Sequence, residues 1–331
     1  MTTRKRWTGT LAATLFALTL GQTQSQAQAQ ATDFPNKPVR IVVPFAPGGN
    51  VDITARTIAG PLGELLGQQV IVENRPGAGG MLATGQVIKG PADGYTLVLG
   101  SSSTISVAPA TTRNPPYDPT RDLAVVGPIQ SVPLVLSASA KGTIASYRDF
   151  AARAQAQPGR LPVASAGTGT SNHLAIEMLM KQSGLQVVHV PYKGSGPALI
   201  DVVGGQVDTM MDQLTASIQH IKEGRLRALA VTTRKRSALL PDVPSLAELG
   251  LKDFDNSTFT GLFAPAGTPR PVLDKLSAAL ARVLTQPAVR ERFAALGVEM
   301  IDMDARAFEA YVKRDFENSR TIARDSNIVL E

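Results

Sequence analysis

Short apolar runs alternate along the chain with longer stretches in which apolar residues recur every three or four positions. Val39–Val43 (VRIVV), dense in β-branched residues, predicts a strand. Pro44–Gly49 forms a turn. A helix begins near Asn50, with Val51, Ala55, Ile58, Ala59, Leu62, Leu65 and Leu66 on one face. Gln69–Glu73 and Tyr95–Leu99 predict two more strands, separated by the Gly-rich NRPGAGG and a helical stretch to Lys89. The middle of the chain repeats the theme. Strands are predicted at Leu134–Leu136, Val163–Ser165, Gln186–Val190, Val207–Met211 and Leu229–Val231, with helices over Thr170–Lys181 and around Ala198–Val203. Beyond Pro265, Pro269 and Pro271 the pattern is helical. Val272, Leu273, Leu276, Leu280 and Val283 line one stripe, and Phe308, Tyr311, Val312 and Ile322 another. Repetition of strand, turn and helix predicts an α/β fold with a largely parallel sheet.

At roughly 150 residues per domain, a chain of 331 residues is expected to make about two. Two α/β units and a helical end that needs a sheet to cover are met most simply in one way. The chain builds one lobe, crosses to a second near residues 130–140 and returns near 240–260, leaving two strand-like hinges. The expected division places 32–133 and 254–331 in a discontinuous first lobe and 134–253 in the second.

The N-terminal pattern differs from the rest. Arg4-Lys5-Arg6 precedes an apolar stretch from Leu11 to Leu20, then a run of Gln and Ala with small residues at Ala27, Ala29 and Ala31. This is the form of an export signal covering 1–31, cleaved near 29–31, and it predicts a periplasmic protein. The stretch falls short of the ~20 apolar residues a membrane span requires. Those first six residues hold three of the 33 basic residues, so 30 remain against 27 acidic ones, a net charge of +3. Nothing in that balance, nor in an aromatic content of 5%, calls for a nucleic-acid partner. The chain has no cysteine, which removes thiolate catalysis, disulfides and Cys-based metal centres. Its three histidines, His173, His189 and His220, are scattered, and neither a metal nor a cofactor is expected.

Candidate chemistry sits where strands run into Gly/Ser/Thr-rich turns that open helices: PFAPGGNVD (44–52), GSSST (100–104), SAGTGTSNH (165–173) and PYKGSGP (191–197). In α/β sheets ligands bind beyond the carboxyl ends of strands. A helix N-terminus offers free N–H groups, glycine admits a ligand close to the backbone, and hydroxyls add donors. The arrangement suits an anion. No turn matches the phosphate-cradling G-x-x-x-x-G-K-[ST] or a full G-x-G-x-x-G, so a carboxylate is the better fit than a nucleotide. Asp52, four residues before Arg56, reads either as a ligand contact or as half of an i,i+4 ion pair. Lys193 reads as a contact or a solvated turn lysine, and His173 as facing the cleft or as a satisfied, partly buried ring. Catalysis is not expected, since there is no G-x-S-x-G elbow. An exported hydrolase using a serine and His173 is the weaker alternative.

These motifs, with VIVENRPGAGG, VHVPYKGSGPAL, GGQVDTMMDQL and GLFAPAGTP, resemble the Bug/TctC family over roughly residues 33–331. These are the extracytoplasmic solute receptors of tripartite tricarboxylate transporters. The resemblance implies a two-lobed periplasmic binding protein of the Venus-flytrap, type II-like form. It would enclose a small organic acid and deliver it, as a monomeric shuttle, to a membrane permease. Service as a ligand sensor for a membrane kinase is the alternative partner. Carried over residue by residue, the ligand loops match Phe45, Pro47, Gly48, Gly49 and Asp52; Ser101, Ser102 and Thr104; Ala166, Gly167, Thr168, Gly169, Thr170 and His173; and Tyr192 and Lys193. Asp212 matches the wall between the lobes. The chain departs from many relatives at Ile105, Ser106 and Ala108, where His and Asn occur, and at Phe259-Thr260, in place of Trp-Phe. Both departures bear on the distal end of the ligand.

Overall fold

The computed structural model describes residues 34–252 and 254–325. The expected export signal, 1–31, lies outside them. Ten strands form one mixed sheet: β1 Val39–Val43, β2 Val70–Asn74, β3 Thr96–Ser101, β4 Leu123–Ser139, β5 Pro162–Ser165, β6 Val188–Pro191, β7 Thr209–Gln213, β8 Leu226–Val231, β9 Ser257–Pro265 and β10 Glu299–Met300. The order is β2-β1-β3-β9-β4-β7-β5-β6, with β8 and β10 also pairing with β4. The main helices are α1 Asn50–Leu66, α2 Met81–Ile88, α3 Tyr147–Ala156, α4 Ser171–Ser183, α5 Ser195–Gly204, α6 Leu214–Lys222, α7 Arg270–Thr285, α8 Pro287–Ala295 and α9 Ala305–Asp325.

Strand β4, 17 residues long, is common to both halves of the molecule. From Leu123 to Pro133 it pairs antiparallel with β9, and at its far edge with β10. From Leu134 to Ser139 it pairs with β7 on one side and β8 on the other. The change of partners falls at Pro133, which has no N–H to give to a ladder. The parallel pairs are confined to the wings, β1 with β2 and β3, and β5 with β6 and β7. The expectation of a largely parallel sheet is corrected accordingly. Its middle is antiparallel, β9 running against β3 and β4, and β4 against β7 and β8.

Each half has its own apolar core. One gathers Ile41, Leu97, Leu99, Leu262, Ile58, Leu62, Leu276 and Leu280, and it extends to Leu214 and Ile218 of α6. The other gathers Leu134, Leu136, Phe150, Val163, Ile176, Leu179 and Phe254. The face predicted for α1 is the buried one: Val51, Ala55, Ile58, Ala59, Leu62 and Leu66 are all inside. That helix stops at Gly67, left-handed at φ +69°, whose N–H returns to the Gly63 carbonyl.

Candidate functional site

Loop 44–49 leaves β1 and enters α1. Its shape is held by Asp52. Oδ2 accepts the Gly48 N–H at 3.0 Å, Oδ1 accepts Asn74 Nδ2 at 2.9 Å, and Arg56 Nε reaches both oxygens at 3.1 Å. Asn74 Nδ2 also donates to the Phe45 carbonyl at 3.0 Å. Burial pushes the Asp52 carboxyl up, but the bonds from Arg56, Gly48 and Asn74 outweigh it and hold the group below the ordinary carboxylate range. Asp52 therefore fixes the loop, and the ion pair with Arg56 is present. The helix that follows has Gly49 as its N-cap and no capping side chain, so the N–H groups of its first turn have no partner inside the helix.

Loop 191–194 does the same in the second half. Gly194 caps α5 with no side chain, and Gln213 precedes α6 with no side-chain cap either. The two halves meet here. The Ala46 N–H donates to the Lys193 carbonyl at 3.0 Å. A Cβ on Gly194 would come within 2.9 Å of the Ala46 nitrogen, and one on Gly196 within 2.0 Å of the Pro47 carbonyl oxygen. A second bridge joins Ser103 and Ser171: the hydroxyls lie 3.1 Å apart, and Ser103 Oγ accepts the Ser171 N–H at 3.0 Å. A third contact presses Gly79 onto the Thr168 carbonyl, 2.6 Å from where a Cβ would stand.

Between these contacts lies a narrow, nearly closed pocket of about 10 Å³, lined by Phe45, Gly49, Asn50, Val51, Ser101, Ser103, Ala166, Ser195 and Gln213. That is room for about one water, far below the ~300–1,000 Å³ of pockets that hold drug-sized ligands. No lining residue carries a charge. Three uncapped helix N-termini, those of α1, α5 and α6, reach it from both halves. Ser101 Oγ is buried without a partner.

Of the residues carried over from the motifs, Phe45, Gly49, Ser101 and Ala166 line the cavity. The others stand behind or beside it for identifiable reasons. Pro47 and Gly48 form the contact between halves and border an open apolar groove of about 1010 Å³ that also holds the exposed Ile200. Ser102 Oγ accepts the Phe259 N–H at 2.9 Å, and Thr104 Oγ1 accepts that of Ser101 at 3.1 Å. Thr170 Oγ1 caps α4, accepting the His173 N–H at 3.3 Å while donating to the Gly167 carbonyl at 2.7 Å. His173 Nδ1 accepts the Gly169 N–H at 3.3 Å, and its ring stacks on His189 at 3.7 Å. Tyr192 donates to Asp201 at 2.6 Å, and the Lys193 side chain is exposed. Asp212 is wholly buried behind Ser195.

His189 Nε2 lies 2.6 Å from Ser165 Oγ. Ser165 Oγ also takes the Gly167 N–H at 3.0 Å and does not line the cavity. The pair braces the loop. Burial, and then the neighbouring His173, push the His189 ring down to about 4. Among the described residues no cluster of three potential metal ligands is present.

The cavity is also lined by Asn50, Val51 and Ser103, which lie within the carried-over loops without being singled out, and by Ser195 and Gln213, which the motif reading did not name. All but Gln213 lie inside the quoted turns, and Gln213 is the last residue of β7, where α/β sheets present ligand groups. At the departure site, Phe259 packs edge-on to Phe308 at 5.4 Å, while Thr260 Oγ1 receives Asn50 Nδ2 at 3.4 Å.

A small cavity without charged side chains, between two α/β halves that share antiparallel spine strands, belongs to a two-lobed periplasmic binding protein fold. The chain belongs to the TctC family, described as the tripartite tricarboxylate transporter family receptor, whose model matches residues 54–328. The protein BugT of Bordetella pertussis is 35% identical over 306 residues, 92% of this chain and 94% of BugT. Among solved structures, MatC of Rhodopseudomonas palustris with bound malate has a TM-score of 0.84 and 34% identity, covering 87% of this chain and 99% of its own. A second R. palustris protein, with adipate, has a TM-score of 0.85 and 32% identity, covering 89% and 99%. No described helix is long and apolar enough to cross a membrane.

Proposed function

We propose that this protein is a periplasmic receptor that captures a small organic carboxylate between its lobes and delivers it to a tripartite tricarboxylate-type permease. The observation that carries the reading is the convergence of three uncapped helix N-termini, from both halves, on a cavity without charged side chains. Backbone N–H groups there favour a carboxylate. Hydrogen bonds to a charged group contribute ~1.5–3 kcal/mol each, and a micromolar Kd corresponds to about −8.2 kcal/mol. Three or four such bonds contribute about 4.5–12 kcal/mol, which spans that figure before the costs of closure and ordering. The lobes in this reading are 32–133 with 254–331, and 134–253, after removal of 1–31. Closure follows because a ligand that touches both halves favours the closed state. The acids bound by MatC and the adipate-bound relative support the ligand class.

The test is a thermal-shift and calorimetric screen against C3–C6 mono-, di- and tricarboxylates. A ligand at 100 times its Kd adds ~2.7 kcal/mol of stability. If no acid shifts the melting temperature, the reading fails. For the permease, deletion of the chain should abolish uptake of the labelled acid; uptake that persists while acid-dependent gene expression disappears favours the sensor.

A further inference from the structure

We propose, resting on that carboxylate reading, that the cavity selects acids bearing a hydroxyl, because Ser195 faces it as a hydrogen-bond acceptor. Ser195 is buried and lines the cavity at the start of α5. Its hydroxyl has one hydrogen, and Oγ donates it to Asp212 Oδ1 at 2.5 Å. Asp212 holds it firmly there. The same Oδ1 receives Asn172 Nδ2 at 3.2 Å, and Oδ2 receives Ser217 Oγ at 3.2 Å, so both carboxylate oxygens are met by donors only. Burial raises the Asp212 carboxyl to about 6, which leaves it ionised at neutral pH. What the Ser195 hydroxyl presents to the cavity is therefore lone pairs, while the N–H groups of the α5 turn remain donors.

The opposite wall has the reverse polarity. Asn50 Oδ1 accepts Gln130 Nε2 at 2.8 Å, which fixes the amide so that Nδ2 is the end left to donate, with only a long 3.4 Å contact to Thr260 Oγ1. Beside it stand the open first turn of α1 and the unpartnered Ser101 hydroxyl. A carboxylate on the Asn50 side and an O–H on the Ser195 side satisfy both walls. A second carboxylate oxygen against Ser195 would set lone pairs against lone pairs. An ammonium would find neutral acceptors alone, since no ionised carboxylate lines the cavity.

The experiment is calorimetry on the full exported chain with acid pairs that differ by one hydroxyl: malate and succinate, 2-hydroxyglutarate and glutarate, citrate and tricarballylate, with aspartate as the amine arm. The expected result is at least tenfold tighter binding of the hydroxylated member in the pair that fits the cavity. In Ser195→Ala, the ratio of Kd values between the two members of that pair should collapse toward one. Equal binding within every pair overturns this proposal and leaves the carboxylate reading standing. Aspartate binding more tightly than malate overturns it likewise, as does a hydroxyl preference that survives Ser195→Ala. If no acid binds at all, the carboxylate reading falls and this one with it. The wild-type comparison decides the matter even if Ser195→Ala does not fold.

Discussion

Loops 44–52 and 165–173 look alike as sequence, each a glycine-rich strand end running into a helix. They do opposite things. In the first, the capping position is Gly49 and the open turn of α1 faces the cavity. In the second, the capping position is Thr170, whose hydroxyl closes the turn of α4 on itself, while His173 and Ser165 take the Gly169 and Gly167 N–H groups. The lesson is that glycine richness marks where a backbone site is possible. The residue at the cap decides whether its N–H groups are free for a ligand or consumed by the fold.

The strongest way to break the contrast is to give the first loop a cap. Gly49 has φ −88° and ψ 173°, the ordinary conformation for a capping aspartate, and a Cβ there meets Ser195 Cβ at a tight 3.3 Å. In Gly49→Asp the new carboxylate occupies the helix end. Loss of two charge-assisted bonds at ~1.5–3 kcal/mol each should lower acid affinity by more than roughly 100-fold, measured by calorimetry. The unliganded melting temperature should hold or rise. Next in size is Gly196→Ala. Its Cβ would collide only with the Pro47 carbonyl across the cleft, at 2.0 Å. Overpacking costs about 1–3 kcal/mol, so affinity should fall roughly 5- to 150-fold, with the open form seen by small-angle scattering in the presence of acid. Capping loss in the second loop should touch stability instead. Thr170→Ala is expected to cost ~1 kcal/mol and lower the melting temperature by roughly 2 °C while acid affinity changes less than twofold.

A further contrast lies in pH slopes. Folding raises the Asp212 carboxyl from 3.8 to about 6, so its contribution to stability is full below about pH 4 and is lost as pH rises through 6. His189 moves the other way, from 6.5 to about 4, and its contribution is full above pH 6.5 and is lost as pH falls through 4. Between these limits the two offset each other. Thermal melts should show Asp212→Asn gaining stability with rising pH more steeply than wild type, and His189→Gln losing it.

Much of the scaffold was legible. Strand β1 and the buried face of α1 follow from β-branched density and helical spacing, and the C-terminal stripes behave as their periodicity requires. Strands β4 and β9 were not. In β9 every residue after Ser257 is buried, so no alternation survives to mark it as a strand. In β4 the residues Gly127, Pro128 and Pro133 disguise a continuous strand, and only Leu134–Leu136 stood out. The site was legible as loops but not as side chains. Nothing local says that the Tyr192 hydroxyl turns to Asp201 or that Asn50 is pinned by Gln130, 80 positions away. Those orientations are set by long-range packing.

In the proposed closure, the bond from the Ala46 amide to the Lys193 carbonyl spans the two halves only while they are shut. That amide is consequently a built-in gauge. Its deuterium uptake counts the fraction of time the jaws stand apart, residue-resolved and without any label. A cargo that locks the jaws will slow that one exchange rate in proportion to how firmly it is held.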